Sequence, residues 1–171
     1  MSISKSLLPE FDHEMATTRK VLERVPDDKF DWKPHPRSTA MGGLATHVAN
    51  IPTWTINSMT EESLDLAPGG VPMPPMQPAA GRDALLKFFD ENVTRAREVI
   101  AGAADDAFFV PWSLMMNGKT IMTLPRVAVV RSFVLNHLIH HRGQLSVYLR
   151  LNDIPVPSIY GPSADEGSFM A

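Results

Sequence analysis

Two histidines four residues apart, His137 and His141, stand in the run Asn136-His-Leu-Ile-His-His-Arg-Gly-Gln144. An i, i+4 pair lies one turn apart on one helical face, so both imidazoles can reach a single ion. With His137 at zero on a helical wheel, Val130, Phe133, Val134, His141, Gln144, Tyr148 and Leu151 fall within about 60° of it. Arg131, Ser132, Arg142, Ser146 and Arg150 fall on or toward the far side. The histidines thus interrupt an inward apolar stripe, where an unpaired polar ring is costly to bury. A metal shared with a histidine from another helix satisfies them, and helical cores are known to hold such sites. His47 is the natural third ligand, on a wheel face shared with Ala40, Leu44, Ile51, Trp54 and Ser58. Three neutral imidazoles suit nickel or zinc, with iron, copper or manganese also possible, and they leave positions open for solvent or substrate, as in catalytic sites.

Six histidines in 171 residues give roughly 0.2 such pairs by chance. A second reading therefore stays open, in which both are core histidines bonded to backbone or water. His140 is about 100° from His141 on the wheel and belongs beside the ligand set, in the surrounding shell or at an interface. The spacing is not that of a metalloprotease helix, because Leu138 stands where the general-base Glu would be. No Asp or Glu occurs in residues 123–151, so an acid or base must come from elsewhere. Gln144 and Tyr148, one and two turns beyond His141, are pocket candidates, as are Trp54 and Trp112; each is equally readable as a core or hydrogen-bonded helix residue.

Four helices must position these groups. Leu7, Leu8, Phe11, Met15, Val21, Leu22 and Val25 recur at helical spacing and predict a first helix over residues 4–24, stopped by Pro26. Residues 30–36 are extended because two prolines bias their predecessors away from α. Ser38 or Thr39 is expected to cap the second helix, which Pro52 kinks or breaks near its end. Residues 67–79, dense in Pro and Gly, form a long loop. A third helix covers residues 82–103, with Leu85, Leu86, Phe89, Val93, Ala96 and Ile100 inward. A short irregular hairpin or lid follows around Asn117-Gly118. Thr123 caps the fourth helix, Pro125 sits in its first turn, and the helix runs to Leu151. The tail to Ala171 lies over the body or frays. The fold class predicted is all-α, a four-helix bundle with a long Pro-rich crossover, as one domain over residues 1–171.

Composition narrows the function. Hydrophobic residues are 44%, charged residues 20%, and the net charge is −3, so clustered cations for a nucleic-acid partner are lacking. Without cysteine there is no disulfide, thiolate ligand or Cys nucleophile, which fits a reducing cytosol. No signal-peptide core and no run of 18 apolar residues is found, so a cytoplasmic protein with no membrane partner is expected.

Three segments, Trp32-Lys-Pro-His-Pro-Arg-Ser-Thr-Ala-Met-Gly42 leading to His47-Val-Ala-Asn50, Asn136 through Leu145, and Ile154-Pro-Val-Pro-Ser-Ile-Tyr-Gly161, resemble the DinB/YfiT-like family of metalloenzymes. His-His-Arg-Gly-Gln is the most specific part. The resemblance implies an up-down-down-up path and a divalent metal, often nickel or zinc, on a histidine triad that falls on His47, His137 and His141. Characterised relatives include thiol S-transferases using low-molecular-weight thiols and a thiol-dependent isomerase. The leading expectation is a thiol S-transferase acting on small electrophiles, its metal lowering the pKa of an incoming thiol. The alternatives are a hydrolase using metal-bound water and a stress-linked metal or ligand binding protein without catalysis. Leu135, Leu138, Ile139, Leu145 and Leu149 form an apolar flank beside the histidines, which suggests a homodimer.

Overall fold

The computed structural model describes residues 2–167. Helix α1 (Ile3–Leu22) is capped by Ser2, whose hydroxyl accepts the Lys5 N–H at 3.4 Å, and it buries Leu7, Phe11, Met15, Val21 and Leu22. Helix α2 (Met41–Asn50) stops where Pro52 lacks the N–H that would continue it, and α3 (Thr53–Thr60) resumes after the break. The expected cap from Ser38 or Thr39 is not made. Backbone carbonyls of the preceding extended segment take its place: Met41 N–H donates to Trp32 O and Gly42 N–H to Phe30 O, both at 2.9 Å. This requires Gly42, since a Cβ there would stand 2.3 Å from the Phe30 ring. Helix α4 (Arg82–Gly102) turns Leu85, Phe89, Ala96 and Ile100 inward, and its Asn92 amide donates to Ala49 O at 3.0 Å, tying α4 to α2.

The all-α four-helix bundle is overturned by a three-stranded mixed sheet. Strand β1 (Ser63–Asp65) runs parallel to β2 (Pro111–Met116), and β2 is antiparallel to β3 (Lys119–Pro125), giving the order β1-β2-β3. Asn117 and Gly118 turn the hairpin at φ 51° and 73°, the left-handed pair that a two-residue turn demands. The Asp65 carboxylate accepts N–H bonds from Ala67, Asn117 and Gly118 at 2.9, 2.9 and 2.7 Å, locking β1 to the hairpin turn. Those backbone bonds, Ala67's first, hold its pKa below the usual carboxylate value. Local periodicity misses this sheet because β1 is three residues long and its partner lies 50 positions later, Ser63 opposite Ser113. Thr123 and Pro125, predicted to open the last helix, are drawn into β3 by pairing: Thr123 faces Ser113 and their hydroxyls are 2.8 Å apart.

The last helical stretch is therefore shorter and less regular than expected. It comprises a turn α5 (Arg126–Val129), π-helical turns over Val130–Asn136, and α6 (His137–Arg150). The wider π turns hand over to regular helix at His137. Such turns recur at functional sites.

The core is continuous and includes Phe11, Leu44, Val48, Ile51, Phe89, Val134 and Leu138. Leu135, Leu138, Leu145 and Leu149, four of the five residues of the flank that suggested a homodimer, are buried within the chain itself. Arg142, expected on the outward side, is 1% exposed. It pairs with Glu14 at 2.8 Å, donates to Glu14 O and Thr18 Oγ1 at 3.1 Å, and donates to Tyr160 Oη at 2.8 Å. The tail lies on the body as far as Gly167, with Ile154, Val156 and Ile159 against the core and Asp165 on Arg150. The rest of the tail expectation, residues 168–171, lies outside the described residues. Among the described residues no helix is long and apolar enough to cross a membrane.

Candidate metal centre

His47 comes from the last turn of α2, and His137 and His141 from the first turns of α6. The Nε2 atoms of His47 and His137 are 3.0 Å apart, and those of His137 and His141 are 3.1 Å apart. One nitrogen from each of the three rings lies within 4.8 Å of the others. Two nitrogens each about 2.1 Å from one ion stand roughly 3.0–3.4 Å apart at right-angle to tetrahedral geometry. The residues present thus fit a divalent ion. They fit a wholly hydrogen-bonded arrangement less well, because ring nitrogens of one type face one another and a neutral imidazole has one N–H to give.

Electrostatics favour the deprotonated state that a metal needs. Burial first, and then repulsion from His141 and His137, push the pKa of His47 from 6.5 down to about 4. His137 and His141 are lowered too, burial again being the main cause. The side-chain carbonyl of Gln144 lies 2.6 Å from His141 Nδ1. An N–H there would leave Nε2 free to ligate and fix the ring's orientation.

Trp54 packs against two of the ligands, its ring centroid 5.8 Å from that of His47 and 5.1 Å from that of His137. Tyr148 is half-buried, its hydroxyl donating to Thr39 O at 3.3 Å and its ring edge-on to Trp32. His140 is exposed, its ring 4.8 Å from that of His141, and stands outside the triad. Trp112 is brought in by β2, on the side of His137 away from Gln144 and Tyr148.

Two spaces meet at the triad. A cleft of about 1020 Å³ has His47 and His141 in its wall with Lys33, Arg37, Gln144 and Tyr148, and the Pro-rich loop closes one side with Met76 and Pro78. That loop is held at its end by the Ala79 N–H, which donates to Thr46 Oγ1 at 2.9 Å. The second space, about 230 Å³, is almost wholly apolar; His137, Trp54, Trp112, Leu64, Leu114 and Phe133 line it. Lys33 and Arg37 went unremarked as chemistry in the sequence, although both lie in the Trp32–Gly42 segment. Leu64 and Leu114 carried no signal, since they reach the site only through the sheet.

Residues 10–145 match the DinB superfamily model. The chain is 47% identical over 173 residues to Bacillus subtilis (strain 168) "Uncharacterized protein YrdA", covering 93% of this chain and 89% of that one. Its fold is similar to the crystal structure of a DinB-like protein from Bacillus cereus ATCC 10987, with TM-score 0.71 and 18% identity over 91% of this chain and 97% of the other. It is similar also to that of the DinB-like protein YjoA from Bacillus subtilis, with TM-score 0.69 and 15% identity over 90% and 96%. With the matched segment spanning both the α2 histidine and the α6 pair, the chain belongs to the DinB superfamily.

Proposed function

We propose that this chain is a metal-dependent thiol S-transferase, in which nickel or zinc on His47, His137 and His141 serves the transfer of a small thiol to an apolar electrophile. The observation that carries the proposal is the position of the triad between two unlike spaces, neither with a carboxylate in its wall. With no cysteine in the chain and no carboxylate in either wall, an incoming thiol suits the role of nucleophile, because its proton is lost easily enough to need no general base. A bound divalent ion would supply the positive charge that lowers the thiol's pKa.

The chain's own residues do the rest. Lys33 and Arg37, exposed on the cleft rim, attract a cosubstrate that carries carboxylates. Gln144 holds the His141 ring in its ligating orientation. Trp54 and the apolar pocket exclude water beside His137. In the transfer, the S–H proton leaves through the open cleft to solvent. The new S–C bond forms as the bond from carbon to its leaving group breaks, the leaving group departing with the electron pair.

The test is conjugation of 1-chloro-2,4-dinitrobenzene by metal-loaded protein with a panel of low-molecular-weight thiols. Thiol-dependent conjugation is expected, and it should vanish with the metal in His47→Ala and His141→Ala. Failure with every thiol, together with ester or lactone hydrolysis by the same preparation, would replace the transfer by hydrolysis. Turnover of nothing would leave a binding protein.

A further inference from the structure

The small pocket behind His137 is built from distant parts of the chain. Trp54 comes from α3, Leu64 from β1, Trp112 and Leu114 from β2, and Phe133 from the π-helical turns. Leu64, Leu114 and Phe133 are only half-buried, and all three line this space. Native interiors hold few voids larger than a water molecule, and unfilled apolar space costs stability in proportion to its volume. This pocket measures about 230 Å³, more than the roughly 150 Å³ of an apolar cavity that stays dry and takes up benzene. Its wall offers almost no polar surface, and the Trp112 indole N–H and Asn57 amide oxygen are themselves buried atoms. A polar group brought in would therefore lose its water without replacement. The pocket also abuts the metal triad. His137 and Trp54 both stand in its wall, and the Trp54 ring packs on the rings of His47 and His137.

We infer that this pocket holds an uncharged hydrocarbon group between benzene and xylene in size, and that Leu64 and Leu114 of the sheet set its upper limit. The space is that of one small ring, and its lack of polar partners rejects a guest that carries hydroxyls or charge into it. In the transfer proposed above this group is the apolar part of the electrophile, the larger cleft with Lys33 and Arg37 being left for the thiol. That assignment rests on the transfer; the hydrocarbon site by itself does not.

The probes are p-xylene, its near-isostere hydroquinone and the larger 1-methylnaphthalene, titrated into the zinc-loaded, ¹⁵N-labelled full chain. Of the three tryptophans, Trp54 and Trp112 line the pocket, while Trp32 packs on Tyr148 and serves as the control. Saturable movement of the Trp54 and Trp112 indole N–H resonances by p-xylene is expected, with that of Trp32 still and hydroquinone bound roughly tenfold or more weakly. Leu114→Phe should weaken p-xylene roughly tenfold or more, and Leu114→Ala should turn the preference toward 1-methylnaphthalene, both at unchanged zinc content. Leu64→Phe and Leu64→Ala repeat the test should a Leu114 variant fail to fold. Unmoved Trp54 and Trp112 resonances, equal binding of hydroquinone, or undiminished binding in the filled variants overturns the site. Indole shifts that follow protein concentration without any probe would give the pocket to a second copy of the chain, and overturn it as well. With benzyl chloride as electrophile, Leu114→Phe should raise the KM for it roughly tenfold and leave the KM for the thiol unchanged. p-Xylene binding without any conjugation would keep the pocket and remove the transfer. Conjugation of benzyl chloride at the parent KM in Leu114→Phe would keep the transfer and remove the pocket from it.

Discussion

His141 and Arg142 are neighbours on α6, yet their polar groups end in opposite conditions. Arg142 is closed: Glu14 balances its charge, and Thr18, the Glu14 carbonyl and Tyr160 accept its N–H groups. Tyr160 in turn donates to the Glu14 carboxylate at 2.9 Å. His141 is open. One nitrogen is taken by Gln144 and the other faces the Nε2 of His137 at 3.1 Å, in the wall of an open cleft. A polar cluster that satisfies itself joins elements of the fold, here α1, α6 and the tail. One that leaves lone pairs converging waits for something from outside. Both sit in the same His-His-Arg-Gly-Gln run, so residue type alone does not separate scaffold from site.

The contrast breaks most sharply under paired substitutions. Arg142→Ala leaves the Glu14 carboxylate buried without its cation, which should cost about 3–5 kcal/mol in urea unfolding, while the fraction still folded binds metal as before. His47→Ala should do the opposite: stoichiometric metal is lost by elemental analysis, and stability of the metal-free chain stays within about 1 kcal/mol of the parent. If Arg142→Ala abolished metal binding in folded protein, the division between the two faces would be wrong. Gln144→Ala is gentler. Losing the group that orients His141 should weaken metal binding roughly tenfold by competition with a chelator, with no change in fold by circular dichroism.

The smallest effect is in pH. The three imidazoles have lowered pKa values in the folded chain, that of His47 falling from 6.5 to about 4. The unfolded chain therefore binds their protons more readily, and the stability they contribute is present above 6.5 and lost as pH falls toward 4. Urea midpoints of metal-free protein at pH 7.5 and pH 5 should drop more for the parent than for His47→Ala. Equal drops would mean that the triad is not the titrating cluster.

Much of the site was legible before the fold. His137 and His141 follow from helix geometry alone, and the wheel face of α2 picked His47. Other elements were misread for particular reasons. Thr123 and Pro125 have the look of a helix start, but pairing with Ser113 and Pro111 makes them strand. Arg142 has the look of a solvated residue, but its partner Glu14 is 128 positions away and buried with it. Ser38 and Thr39 are sound caps by type, displaced by carbonyls of Phe30 and Trp32 that no local rule would choose.

The amino-acid order by itself determined what short-range periodicity can encode: the helical segments, the one-turn spacing of two ligands, and the absence of cysteine. Only the tertiary structure decided that His47 meets His137 across 90 positions, that a strand of three residues completes a sheet, and that the triad divides a cationic cleft from an apolar pocket. The reason is range. A helix places residues four apart without help, whereas strand pairing, buried charge networks and pocket walls exist only where distant segments are brought together by the packing of one core.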